Sequence, residues 1–264
     1  MAKTPTLKAF EAAVWNSLLD RLSKVPEGRE LVDYARRHKV KFEFASMSGG
    51  EWVPQQNKVK LGRSIPPDQA LGALAHELRH MWQSSEVKGL DRTHSKTKGD
   101  PLHKITLLRG MEADAFSYQL AMLVELQKLK IIKSVEDAMM DKGNPIGAHT
   151  LKEVRGFARE FARKHKDKPF SPKARGEAFR FFHGSDYFRE WYDGLYAEHF
   201  AGRRPGKGGA GLPGLSKTFN TFAQVRVTGA AEKYLSPAEI AGIGTSTLRQ
   251  LEPSLRRIIA PKTA

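Results

Sequence analysis

Apolar side chains fall at helical spacing through residues 6–24, where Leu7, Phe10, Ala13, Val14, Leu18 and Leu22 recur, and Val25-Pro26 closes the stretch. Residues 27–38 read as a second helix. The period then changes: Val40, Phe42 and Phe44 alternate with Lys41 and Glu43, the mark of a half-buried strand. Gly49-Gly50 punctuates, and Lys58-Val59-Lys60-Leu61 alternates again, predicting a second strand. Pro66-Pro67-Asp68 opens a helix running to about Ser85, since proline is tolerated in a first turn. Residues 88–100 are polar and read as a loop, and a long, mostly apolar helix follows over about 104–130. Further helices fill 134–200, broken near Gly143-Asn144-Pro145 and between Pro169 and Pro172. The class expected is α+β, mainly helical, with a small sheet beside the helix of residues 67–85.

Residues 201–214 contain six glycines and two prolines and read as a linker. They divide a domain over residues 1–200, its core at 30–130, from an extension over 215–264. In that extension Ser236-Pro237-Ala238-Glu239 has the form of a capping box, and a helix is expected near Thr247–Ile259.

Composition narrows the chemistry. The chain has 264 residues, 40% hydrophobic and 28% charged, which is ordinary for a folded globular protein. It has no cysteine, which excludes disulfides, thiolate metal sites and a thiol nucleophile. Any metal must therefore be held by histidine and carboxylate. No apolar run reaches the ~18 residues of a membrane span, and charges scattered through the first two dozen residues do not resemble a Sec signal. A cytoplasmic location is expected, with export by a non-Sec route left open. Lys and Arg number 44 against 29 Asp and Glu, a net +15. Ten basic and three acidic residues put +7 of it in 201–264. That basic C-terminal region is the part of the chain suited to contact with a polyanion.

One motif carries chemistry. His76-Glu77-Leu78-Arg79-His80 is H-E-x-x-H within a predicted helix. At about 100° per residue the two histidines lie about 40° apart on one face, able to chelate one ion. Leu71, Leu74, Ala75, Leu78, Met81 and Trp82 form a broad apolar stripe on the other side, and Glu77 sits at the border. A catalytic zinc site takes three protein ligands and keeps one position open for water. The metal brings that water's pKa to about 7 and polarises the scissile carbonyl, while a carboxylate takes and returns the proton. A third histidine at the metzincin spacing is excluded, because Gln83 and Glu86 occupy the positions of its Gly and His. Glu112 is the better candidate. It lies on the next long helix in line with Leu108, Phe116 and Leu123, where a carboxylate is costly unless it is paired or bound to a metal. Asp114, about 200° further round, can hardly ligate the same ion. It is expected to orient a ligand histidine, with an exchange of roles between Glu112 and Asp114 left open.

Helix, strand and a second strand leading into an H-E-x-x-H helix, with a Glu on the following helix, resembles the zincin metallopeptidases of the gluzincin type. HELRHMWQ followed by EADAF resembles more narrowly a bacterial group of metallopeptidases of unassigned substrate, over roughly residues 30–130. The thermolysin-like arrangement has an Asp four residues after its ligand Glu, where this chain has Phe116. The resemblance implies hydrolysis of a peptide or protein substrate, with zinc held by His76, His80 and Glu112 and Glu77 as general base. It also suggests an extended substrate lying along the strand at 58–61 as an added strand.

Gluzincins commonly use a Tyr or His to stabilise the tetrahedral oxyanion. Tyr192, Tyr196 and His183 are the candidates, although an aromatic cluster at helical spacing also suits a core. Residues 151–175 hold nine Lys or Arg against three acids, with Phe157, Phe161 and Phe170 interleaved. A solvated face over buried phenylalanines accounts for them better than a polyanion-binding helix. The competing function is a nucleic-acid-associated basic protein with a structural or vestigial metal site.

Overall fold

The computed structural model describes residues 7–86, 101–139 and 148–185. The expected loop at 88–100, the break at 143–145, the linker at 201–214 and the extension at 215–264 lie outside the described residues. Within them the chain forms α1 (Leu7–Leu22), α2 (Pro26–Arg37), β1 (Lys41–Ala45), β2 (Gly50–Val53), β3 (Lys58–Gly62), α3 (Pro67–Glu86), α4 (Pro101–Lys128), α5 (Val135–Met139), α6 (Ala148–Lys164) and α7 (Pro172–Gly184). The fold is α+β and mainly helical, as the pattern predicts. None of these helices is long and apolar enough to cross a membrane.

Described residues group into two compact units. One contains residues up to Trp82 and those from Tyr118 to Pro169; the other contains Gln83 to Ser117 and the chain from Phe170. In the first, α1 and α2 meet where Gly28 lies so close to Leu22 that a Cβ would stand 2.2 Å from the Leu22 carbonyl oxygen. The sheet order is β1-β3-β2, with β1 parallel and β2 antiparallel to β3. The alternation seen in the sequence sorts its two faces. Phe42 and Phe44 pack on the Trp15 ring of α1 at 5.0 and 4.7 Å, beside buried Val59 and Leu61. Charges alternate with them: Lys58 donates to Glu43 at 2.6 Å and Lys60 to Glu51 at 3.2 Å. The Lys58 ammonium holds the Glu43 carboxyl below its ordinary value.

The four-residue β2 is absent from the sequence expectation, because Gly50-Glu51-Trp52-Val53 has no apolar alternation of its own. It forms by pairing back on β3 through a 3-10 turn at Pro54–Gln56, closed by Asn57 in the left-handed region at φ 49°. This order corrects the expectation for a substrate strand. β3 has a neighbour on each side, so its ladder groups are already used, and among the described residues the sheet's edges are β1 and β2.

The part of α4 in this unit is buried on every side from Tyr118 to Val124, and its polar groups are bonded accordingly. The Tyr118 hydroxyl donates to the Glu27 carbonyl at 2.7 Å and Gln119 to the Met139 carbonyl at 3.0 Å. On α6, Val154, Ala158 and Phe161 are buried, while Arg159 and Arg163 bond Glu136 and Glu160 and Arg155 pairs with Asp137. The basic stretch here is a solvated face with its own carboxylates. In the second unit α7 starts on Ser171, whose hydroxyl accepts from the Ala174 N–H, and Phe182 stacks on Phe116 at 5.2 Å.

Trp15 joins α1 to the sheet, so Trp15→Ala is expected to lower the unfolding free energy by about 3–5 kcal/mol. Urea denaturation measures this, with Trp15→Phe losing much less.

Candidate metal centre

Proline and Asp68 in its first turn start α3, and its i, i+4 geometry brings the two motif histidines together. His76 Nε2 and His80 Nε2 are 2.9 Å apart, with the rings at 80° and 4.6 Å between centroids. His76 and Glu77 are only 6% and 7% exposed, and Arg79 is fully buried. The polar side of this helix is therefore not a solvent face.

Glu112 completes a group with the two histidines. His76, His80 and Glu112 each offer one ligand atom, and these atoms all lie within 4.8 Å of one another. Ligands at about 2.0–2.2 Å from a tetrahedral ion stand roughly 3.3–3.6 Å apart. The spacing of the set brackets that value, and two imidazoles with one carboxylate are donors that suit a transition-series ion such as zinc. The residues present fit a metal.

Glu77 is seated separately. Its Oε2 accepts from the Trp52 N–H of β2 at 2.7 Å. Gly50, on the same strand, leaves the space that its side chain fills: a Cβ there would lie 2.7 Å from Glu77 Cγ and 3.0 Å from Oε1. Gly49, at φ 78°, turns the chain into that strand. Gly50 and Trp52 are contacts of Glu77 that the sequence reading missed. Gly49-Gly50 reads only as punctuation, and no spacing rule links a strand N–H to a carboxylate 25 residues away.

Arg79, between the two histidines in sequence, packs its guanidinium over the Trp82 and Tyr118 rings at 4.1 and 5.2 Å. Asp114 accepts at Oδ2 from Gln83 (2.8 Å) and at Oδ1 from Arg175 of α7 (2.9 Å). His183 is buried, its ring stacked on Phe179 at 5.5 Å. Tyr192 and Tyr196 lie outside the described residues.

Compared with known families, the chain matches the model of the Putative metallopeptidase family (DUF6782) over residues 2–203. The chain belongs to this family. No curated protein and no solved structure matches it. Family membership points to hydrolysis of peptide substrates with a metal, and the His76, His80 and Glu112 group can hold that metal. The matched span extends well past the 30–130 segment of the sequence resemblance and takes in α7 with Arg175.

Gly50→Ala is expected to drive Glu77 off its seat. Hydrogen exchange at the Trp52 amide should then quicken by roughly tenfold or more, since a bond to a charged group contributes about 1.5–3 kcal/mol. Unchanged exchange would mean that Glu77 keeps its place beside an added methyl.

Proposed function

We propose that the protein is a zinc-dependent peptidase of the gluzincin type, with His76, His80 and Glu112 as ligands and Glu77 as general base. The observation that carries this reading is the convergence of the three ligand atoms, with the Glu77 carboxylate held separately by a strand N–H. Zinc, when bound, would act as a Lewis acid on the scissile carbonyl and acidify the attacking water.

The chain's own residues supply the rest. His76 and His80 present neutral imidazole nitrogens, and Glu112 contributes one negative charge, leaving the centre net positive and attractive to a carbonyl oxygen. The Glu77 carboxylate, held at Oε2 by the Trp52 N–H, takes the proton from water as it attacks. The same carboxylate then delivers that proton to the amine as the C–N bond breaks. Near-complete burial of Glu77 keeps this transfer away from bulk solvent. The oxyanion donor comes from His183, Tyr192 or Tyr196 and is worth about 2.7–4 kcal/mol in the transition state. The substrate is a peptide or protein in the cytoplasm, and the basic region at 215–264 serves contact with a polyanionic partner.

Two linked outcomes test this. Metal content by plasma emission should give one zinc per wild-type chain, lost in both His76→Ala and Glu112→Ala. Glu77→Gln should keep its zinc while cleavage of a quenched-fluorescence peptide library falls by about 10²–10⁴-fold. A wild type that stays metal-free after zinc addition, or a fully active Glu77→Gln, would overturn the reading.

A further inference from the structure

We infer that Arg175 is a positioning residue of the metal centre: through Asp114 it fixes the turn of α4 that presents Glu112. The inference rests on Glu112 being a ligand, as proposed above.

The contacts surround Glu112 on both sides in sequence. Just before it, the Met111 carbonyl accepts from Gln83 Nε2 at 3.0 Å, and that same nitrogen donates to Asp114 Oδ2 at 2.8 Å. Just after it, Arg175 Nη2 donates to Asp114 Oδ1 at 2.9 Å and to the Asp114 carbonyl at 3.1 Å. The Ser117 hydroxyl adds a bond to that carbonyl at 2.8 Å. Gln83 lies one turn after His80 on α3, and Arg175 lies 61 residues beyond Asp114 on α7. One turn of α4 is thus bonded from two other helices, and Glu112 lies within it.

Burial makes these bonds directional constraints. Arg175 is fully buried, and Asp114, Gln83 and Ser117 are nearly so. A buried ion pair is a poor way to gain stability, because apolar residues of the same volume usually do as well or better. What it supplies is orientation. A ligand side chain must be held to within about 0.5 Å of its productive place, and the bonds on either side of Glu112 resist both rotation and sliding of α4. Asp114 therefore supports the carboxylate ligand through the backbone, and α7 is part of the centre even though it contributes no ligand. Since one guanidinium nitrogen makes both bonds to Asp114, a lysine at 175 can keep them.

The experiment uses the full chain and does not depend on activity. Zinc affinity is measured by competition with a chromophoric chelator, and the cobalt(II) absorption spectrum reports the ligand geometry. Folding is followed by circular dichroism. Arg175→Met is expected to weaken zinc binding by about 10–100-fold and to alter the cobalt bands, while Arg175→Lys restores most of both. Arg175→Met leaves Asp114 buried with its charge uncompensated, so the paired Asp114→Asn/Arg175→Met variant is run beside it and should show the same loss. Should neither fold, Gln83→Met, which deletes two bonds and no charge, decides. A folded variant of this set with wild-type affinity and spectrum overturns the inference. Glu112→Gln separates the two levels. If it binds zinc like the wild type, or if the wild type binds neither ion, the reading of the centre itself fails. If Glu112→Gln loses zinc while the Arg175 variants keep it, only the role of Arg175 fails.

Discussion

The rest of the structure depends on the burial of the polar side of α3. His76, Glu77, Arg79 and Gln83 are all nearly or fully withdrawn from water. A buried polar group that lacks a partner costs on the order of 1–3 kcal/mol, and more when it is charged. Each of these side chains therefore makes a demand on the surrounding fold. The demands are met from separate parts of the chain. Glu77 takes an N–H from β2, Arg79 takes the faces of Trp82 and Tyr118, and Gln83 takes the Met111 carbonyl and Asp114. A short strand, two aromatic rings and one turn of α4 supply the partners of these three side chains.

Much of this was legible in the sequence because it is written in local periods. The helical spacing of 6–24, the two alternating runs at 40–44 and 58–61, and Pro66-Pro67-Asp68 each depend only on nearby residues, and α1, β1, β3 and α3 fall within a few residues of those readings. The motif itself is local too, since an i, i+4 pair on a helix has one geometry. Glu112 was reached by a different argument, the cost of a carboxylate in an apolar stripe, and its ligand atom does lie with those of the two histidines.

What escaped is non-local. Gly50-Glu51-Trp52-Val53 has no strand pattern of its own and becomes β2 only because β3 offers a partner. Its pairing also puts residues 58–61 at the centre of the sheet among the described residues. Arg175 sits in a segment rich in lysine and arginine, where nothing in its neighbours marks it as the buried one. Its aliphatic stem and charge look the same in sequence whether it faces water, as Arg159 does, or Asp114. The amphipathic period of α6 sorts its own arginines to the outside. No such period singles out Arg175, because its place is set by a carboxylate on another helix.

The matched family span is much longer than the segment that contains the motif residues, and it takes in the elements that hold them. Residues 76–112 include every proposed ligand and the general base, and a peptide of that length has the donors for a metal. It lacks the means to hold them. The seat of Glu77 is on β2, and β2 exists only by its pairing with β3. The turn around Glu112 is bonded from α7. On the proposed reading, removing either support would leave the ligand types in the sequence and take away their directions. In the proposed centre Gly50, Trp52 and Arg175 matter through the places they give to other side chains. On the proposed reading H-E-x-x-H is the most visible part of a site whose supports are spread in sequence from β2 to α7.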